Sequence, residues 1–491
     1  MDLKAKSNKR IRTIVLLLIG LFFLYFSNGK YYFALASWLF PVFTLQVSRH
    51  EKKIFAGLII PVLFGIVSQF SYWYIFENPK SFMFYIPFFV GLLTGFLFYV
   101  DRLIYSKING FKATLIFPLA FTAFEFLSNL FNPFGTTGLL GYSQLEFLSF
   151  SQLASITGMW GITFMIAWFG SVVAWFIDNF KKTTTVKKGV FVYLSILIAI
   201  LIYGNLRLTM PLENGTVKVS GIHTHDKNDM NALLRSWYRA DTIAFKKLNN
   251  EVITKSIIQT RLQANAGSKI IIWSEGSFAM LKQDEDSIIN TFKAISRQNE
   301  IYLFITPFVF NKGSRAENKT LVFSPTGNVV STHYKFGGNF LEGTVKGNQI
   351  IKTLSTEYGN LSHVICWDGD FPSTLKQVGK EQTDMLFIPA SDWLQISPMH
   401  TTPAIYRAIE NGCSMVRQTQ DGLSVMTDPR GKIITAMDHF NATSWTMTGH
   451  VPNKKIWSLY PIIGDLFGWL SFVGLLFFIV WPIASNKKIR Q

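Results

Sequence analysis

The distribution of apolar positions divides the chain into two kinds of sequence. Long continuous apolar runs fill the first 210 residues, at about 12–28, 31–48, 54–76, 82–104, 112–130, 157–178 and 188–206, and a last one lies at about 460–483. A helix crossing a bilayer needs roughly 20 such residues, so the runs predict about seven spans and a final one; the second is short enough to read as re-entrant instead. The stretch between them changes character. Short apolar segments alternate with amphipathic ones, predicting strands at 216–222, 269–273, 302–308, 320–324, 329–334, 361–366, 385–389, 414–418, 423–427 and 432–436, and helices at 233–264, 285–298, 371–379 and 400–412. Turn signals such as Ser324-Pro325-Thr326-Gly327 and Asp428-Pro429-Arg430-Gly431 punctuate them. This alternation predicts a layered α/β domain with helix-covered sheets, over 211–455, between a membrane domain at 1–210 and a last helix with a tail at 456–491.

Charge orients these parts. Lys4, Lys6, Lys9, Arg10 and Arg12 precede the first run; Arg49, Lys52 and Lys53 follow the second; Arg102, Lys107 and Lys112 the fourth; Lys181, Lys182, Lys187 and Lys188 the sixth. The alternate loops hold only Lys30, then Glu77 with Lys80, then Glu146. Basic residues mark cytoplasmic loops. The N-terminus is therefore expected inside, the α/β domain outside, and the C-terminus, with Lys487, Lys488 and Arg490, inside again. The first run lacks a small-residue cleavage site and reads as a span, not a removed signal.

Composition agrees with a membrane protein: 491 residues contain 46 Phe, and mean hydropathy lies above zero. The net charge of +17 does not form one basic patch with interleaved aromatics, so nucleic acid is not the expected partner. No closely spaced His/Cys ligand set and no Gly-rich phosphate loop appears, so neither metal nor cofactor is expected.

With only two cysteines there is no disulfide framework. Cys413 ends a helical stretch and reads as a small core residue. Cys366 closes the apolar run Leu361–Ile365 just before Gly369 and Pro372, where a strand becomes a loop. A thiol there suits a nucleophile, which needs a base and an oxyanion donor. Two other strand ends offer them: Glu275 after Ile270–Trp273, and Lys335 after Val329–Tyr334. Taken singly, Glu275 reads as a helix-capping carboxylate and Lys335 as a surface lysine.

Glu275, Lys335 and Cys366 in that order, each following a strand, resemble the nitrilase (carbon–nitrogen hydrolase) superfamily. Several membrane-domain stretches resemble one branch of it, the apolipoprotein N-acyltransferase family: Gly141-Tyr142-Ser143-Gln144, Gln152-Leu153-Ala154, Gly158-Met159-Trp160-Gly161-Ile162-Thr163-Phe164, and Glu125 within the fifth run. So do Asn318, Ser391-Asp392-Trp393, Arg407 with Glu410, and Asp428-Pro429-Arg430-Gly431. The resemblance implies a multi-pass helical bundle carrying an extracytoplasmic αββα sandwich in a bacterial inner membrane. It implies Glu275 as general base, Lys335 as oxyanion cation and Cys366 as nucleophile, with Glu342 as a second glutamate and the Trp367 N–H as another oxyanion donor. Trp273, Asp368, Trp393 and Phe340 are expected at the substrate, and Phe278, Phe336 and Phe371 are candidates for lining an acyl channel. The implied partners are a membrane phospholipid as acyl donor and a diacylglyceryl apolipoprotein as acceptor, joined through a cysteine thioester. Ser274, Trp367 and Asp368 depart from the family's usual Pro, Tyr and Glu. A membrane-anchored amidase, or an inactive lipid-binding relative, is the alternative expectation.

Overall fold

The computed structural model describes residues 2–75, 78–212 and 215–488; Glu77 and Arg490, used above for loop charge, lie outside the described residues. Two compact units emerge. One comprises the chain through Asn132, Gly138–Thr209 and the part from Ile463 onward; the other comprises Pro133–Thr137 and Met210–Ile462. The second unit thus includes five residues from the connection after the fifth apolar helix, and it runs past the expected limit of 455.

The first unit is helical. Its long helices are Asp2–Tyr25, Ala34–His50, Ile60–Tyr72, Ile86–Tyr105, Ile116–Phe131, Met159–Asn179, Thr183–Thr209 and Leu466–Lys488. Among the described residues, five helical stretches are long and apolar enough to cross a membrane: Phe55–Tyr72, Phe82–Tyr105, Phe111–Phe131, Met159–Asn179 and Thr184–Thr209; Leu466–Trp481 is a shorter apolar helix. The helix Ala34–His50 has 17 residues, and the first helix opens with a basic stretch, which is why neither meets the same measure. Two buried polar pairings tie its helices together, as burial favours. Glu125 accepts from the Leu140 N–H (2.8 Å) and the Thr163 hydroxyl (2.6 Å), and Trp160 Nε1 donates to Asp465 (2.8 Å), fixing the last helix. Glu125 therefore serves as a structural tie.

The second unit is an αββα sandwich. Its strands are β1 (Thr216–Ile222), β2 (Ile270–Leu281), β3 (Tyr302–Phe310), β4 (Glu317–Phe323), β5 (Val329–Tyr334), β6 (Thr353–Thr356), β7 (Gly359–His363), β8 (Met385–Ser391), β9 (Ser414–Gln420), β10 (Leu423–Thr427), β11 (Ile433–Asp438) and β12 (Thr446–Pro452). They form two six-stranded sheets, ordered β12-β1-β2-β3-β4-β5 and β11-β10-β9-β8-β7-β6. The period of two in β2 builds the layers. Ile270 and Ile272 point between the sheets, joining Val219, Phe304, Leu361, Phe387 and Val416. Ile271 and Trp273 point outward to Val252, Phe292 and Ile295 on the helices Thr242–Asn265 and Glu285–Asn299. Each such buried side chain contributes about 1.5–3 kcal/mol. Helices Pro372–Lys380 and Thr401–Asn411 cover the other sheet.

Candidate active site

Three chain segments meet at one end of the sandwich. Glu275 does not end its strand as the sequence suggested. It sits within β2 at a break in register with β3, followed by Gly276 at φ +63°, and pairing resumes at Ala279. Such a bulge turns one side chain out of the regular alternation. Lys335 follows β5 directly, its N–H donating to the Asn318 carbonyl at 3.0 Å. Cys366 begins the 3₁₀ turn Cys366–Asp370 with φ +46°, a left-handed conformation that a non-glycine residue holds only when its surroundings enforce it.

Asp368 does the enforcing. It is fully buried, and its carboxylate accepts from the Phe336, Gly337 and Ile365 N–H groups (2.9, 2.6 and 2.9 Å) and pairs with His333 Nε2 (2.9 Å). The Cys366 turn is thereby tied to the segment after Lys335. Both oxygens are saturated, so Asp368 is a clamp and not the substrate contact expected from sequence. Trp273 needs the same correction: it is 0 % exposed, donates to Thr260 Oγ1 at 3.0 Å and packs on Phe278 and Phe292 in the helix-side core. Phe278 is removed from the site for the same reason.

The charges converge on Lys335. Its ammonium donates to Glu275 Oε1 at 2.6 Å and also to Glu342 Oε1. Asn318 Nδ2 bridges the same carboxylates, at 2.7 Å to Glu275 and 3.1 Å to Glu342. Glu275 Oε2 is buried and has no hydrogen-bond partner among the described residues, which leaves an acceptor open for a proton. Burial opposes the charge on Lys335, but Glu275, Cys366 and Glu342 hold its pKa well above the ordinary lysine value. Burial, together with neighbouring Glu275, raises Glu342 against the pull of Lys335. Burial and Glu275 also raise Cys366, against Lys335 and His400. The site is thus built for a resting thiol beside a paired carboxylate, with proton transfer accompanying attack.

Around this centre, Trp367 Nε1 donates to the Phe134 carbonyl at 3.1 Å, and its ring lies 5.5 Å from Phe134 and 6.4 Å from Trp393. Phe340, half exposed, packs against Phe134 at 5.3 Å, and buried Phe336 lies 5.9 Å from Phe371. The aromatic cluster near Cys366 therefore includes Phe134, which the sequence reading did not single out. Ser274 accounts for its own departure from the expected proline, since its hydroxyl bonds His223 Nδ1 at 2.9 Å. Cys413 is free and fully buried, and burial pushes its thiol up to about 12.

A second group is buried nearby, His400, Asp370, Asp392 and Arg417, of which the sequence reading named only Asp392. Arg417 is buried on β9, directly after Met415 and Val416. A cation there demands a buried partner, and that was the available signal.

Two family models match the chain: the apolipoprotein N-acyltransferase N-terminal domain over residues 19–172, and carbon-nitrogen hydrolase over residues 256–456. An apolipoprotein N-acyltransferase of Geobacter metallireducens is 25 % identical, covering 77 % of this chain and 76 % of that one. That of Borreliella burgdorferi is 21 % identical over 87 % and 86 %. Apolipoprotein N-acyltransferase 1 of Treponema denticola is 22 % identical over 94 % and 93 %.

Proposed function

Since the chain belongs to the apolipoprotein N-acyltransferase family and is an acyltransferase, we propose that it N-acylates lipoproteins in two half-reactions through a thioester on Cys366. In the first, Glu275 takes the Cys366 proton as sulfur attacks an ester carbonyl of a membrane phospholipid. The oxyanion that forms is met by Lys335 Nζ and the Trp367 N–H. Collapse breaks the C–O bond, the Glu275 proton passes to the leaving oxygen, and a lysophospholipid departs. In the second, the α-amine of a diacylglyceryl cysteine attacks the thioester. Glu275 takes the amine proton, the C–S bond breaks, sulfur recovers a proton, and an amide results. Glu342, sharing Lys335 and Asn318 with Glu275, keeps the base and the cation in register.

The observation that carries this reading is the open, buried Oε2 of Glu275, on a carboxylate whose other oxygen is fixed by Lys335 and Asn318 beside Cys366. A donor and an acceptor that both live in a bilayer fit a catalytic unit carried on apolar helices. Loop charge supports an inner-membrane protein with both termini cytoplasmic and the catalytic unit, about 211–455, outside. The test is acyl transfer from a labelled phospholipid to a diacylglyceryl-cysteine peptide by the purified full chain. Labelled amide with wild type and a loss of about 10²–10⁴-fold with Glu275→Gln is expected. Release of free fatty acid without amide identifies a hydrolase instead.

A further inference from the structure

Cys366 Sγ, a carboxylate oxygen of Asp392 and a ring nitrogen of His400 lie within 4.8 Å of one another. These are metal-binding residue types, but His400 and Asp392 are already committed to other partners. His400 Nε2 meets Asp370 Oδ2 at 2.8 Å and Nδ1 meets Asp392 Oδ1 at 2.9 Å. Arg417 takes both Asp392 oxygens, at 2.8 and 2.9 Å. A ring with a carboxylate on each nitrogen needs a proton on each, because an unprotonated nitrogen would set its lone pair against an anion. His400 is therefore an imidazolium. Burial opposes that charge, and Asp370 and Asp392 outweigh it.

The ring is also immobile. Asp370 Oδ1 accepts from Thr137 Oγ1 (3.1 Å), and the Asp370 carbonyl accepts from the Thr136 N–H and hydroxyl (2.9 Å each). Arg417 Nη2 stands 3.4 Å from His400 Nδ1, and the Trp367 ring lies 5.2 Å from the His400 ring. The charges facing His400 are thus Asp370, Asp392, Arg417 and Cys366; those facing Cys366 from the other sheet are Glu275 and Lys335. Lys335 also favours the thiolate, but it is shared between two carboxylates and serves the carbonyl oxygen; His400 is the second cation facing the sulfur.

We propose that His400 is a fixed cation for the Cys366 sulfur, stabilising the thiolate as Glu275 removes the proton and again as sulfur leaves the thioester. The inference rests on Cys366 being the nucleophile. It is tested on the full-length protein in detergent, in a Cys413→Ala background where Cys366 is the sole thiol, by following iodoacetamide alkylation by intact mass as a function of pH. His400→Gln keeps polar contacts without the charge. The double variant His400→Gln/Asp370→Asn removes one charge of each sign, so that no unpaired carboxylate is buried. Both are expected to move the alkylation inflection up by about one unit, which slows labelling about tenfold at a fixed pH below it. A double variant that folds and labels along the wild-type curve overturns the inference and leaves the nucleophile assignment standing. Absence of an acyl adduct on wild type given phospholipid overturns that assignment and the inference with it.

Discussion

Replacing Asp368 by Asn preserves size and removes the charge that ties the Cys366 turn to the segment after Lys335. The carboxylate accepts four bonds of 2.6–2.9 Å while fully buried. Asn keeps one acceptor oxygen and turns an NH₂ toward two donors. Bonds to a charged acceptor are worth about 1.5–3 kcal/mol each, so losing two costs about 3–6 kcal/mol. At roughly 2–4 °C per kcal/mol for a unit of this size, thermal unfolding of the detergent-solubilised chain should fall by about 6–24 °C. Asp368→Glu should also destabilise, by about 1–3 kcal/mol, because the extra methylene enters a filled site. A melting temperature within about 2 °C of wild type for Asp368→Asn would refute the clamp.

Two further outcomes follow from the second unit. Burial pushes His225 down to about 4, against Asp229 and Asp226. The unfolded chain binds that proton near pH 6.5 and the folded one does not, so stability falls as pH drops from about 6.5 to about 4, by up to about 3 kcal/mol. His225→Gln should flatten the melting temperature across that window, and parallel curves for the two proteins would contradict it. Gly135 has φ +63°, and a Cβ there would sit 2.3 Å from the Asp370 carbonyl oxygen. Gly135→Ala should therefore lower both the melting temperature and the rate of acyl-adduct formation, whereas a silent variant would show that Pro133–Thr137 does not support the nucleophile turn.

Much of this was legible in the residues, for identifiable reasons. Strands β1, β5 and β10 were bounded correctly because each is an alternating or apolar run closed by polar or turn residues. The placement of Cys366 and Lys335 just past strands was legible because short apolar strands announce where loops begin. The bulge in β2 was not legible: Gly276 read as a strand end, and only pairing with β3 shows the strand resuming to Leu281. The edge strands β6 and β12 carry little apolar signal, being polar and exposed on one side. The helix expected over 233–264 is broken at Ala240 and restarted by Asp241, which caps the Ala244 N–H at 2.9 Å, a signal the periodicity overrode. Trp273 and Phe278 were misplaced because an aromatic beside a motif looks the same in sequence whether it faces core or site. His400 lies on an irregular segment without periodicity, so only the buried Arg417 could have pointed to it.

The most direct test is intact-protein mass spectrometry of the purified chain after incubation with phospholipid, comparing wild type with Cys366→Ala. A fatty-acyl adduct on wild type alone, removed by hydroxylamine, is the predicted result and places a thioester on Cys366. A folded wild type that takes up no acyl mass with phospholipid present, or an adduct that persists in Cys366→Ala, would contradict it.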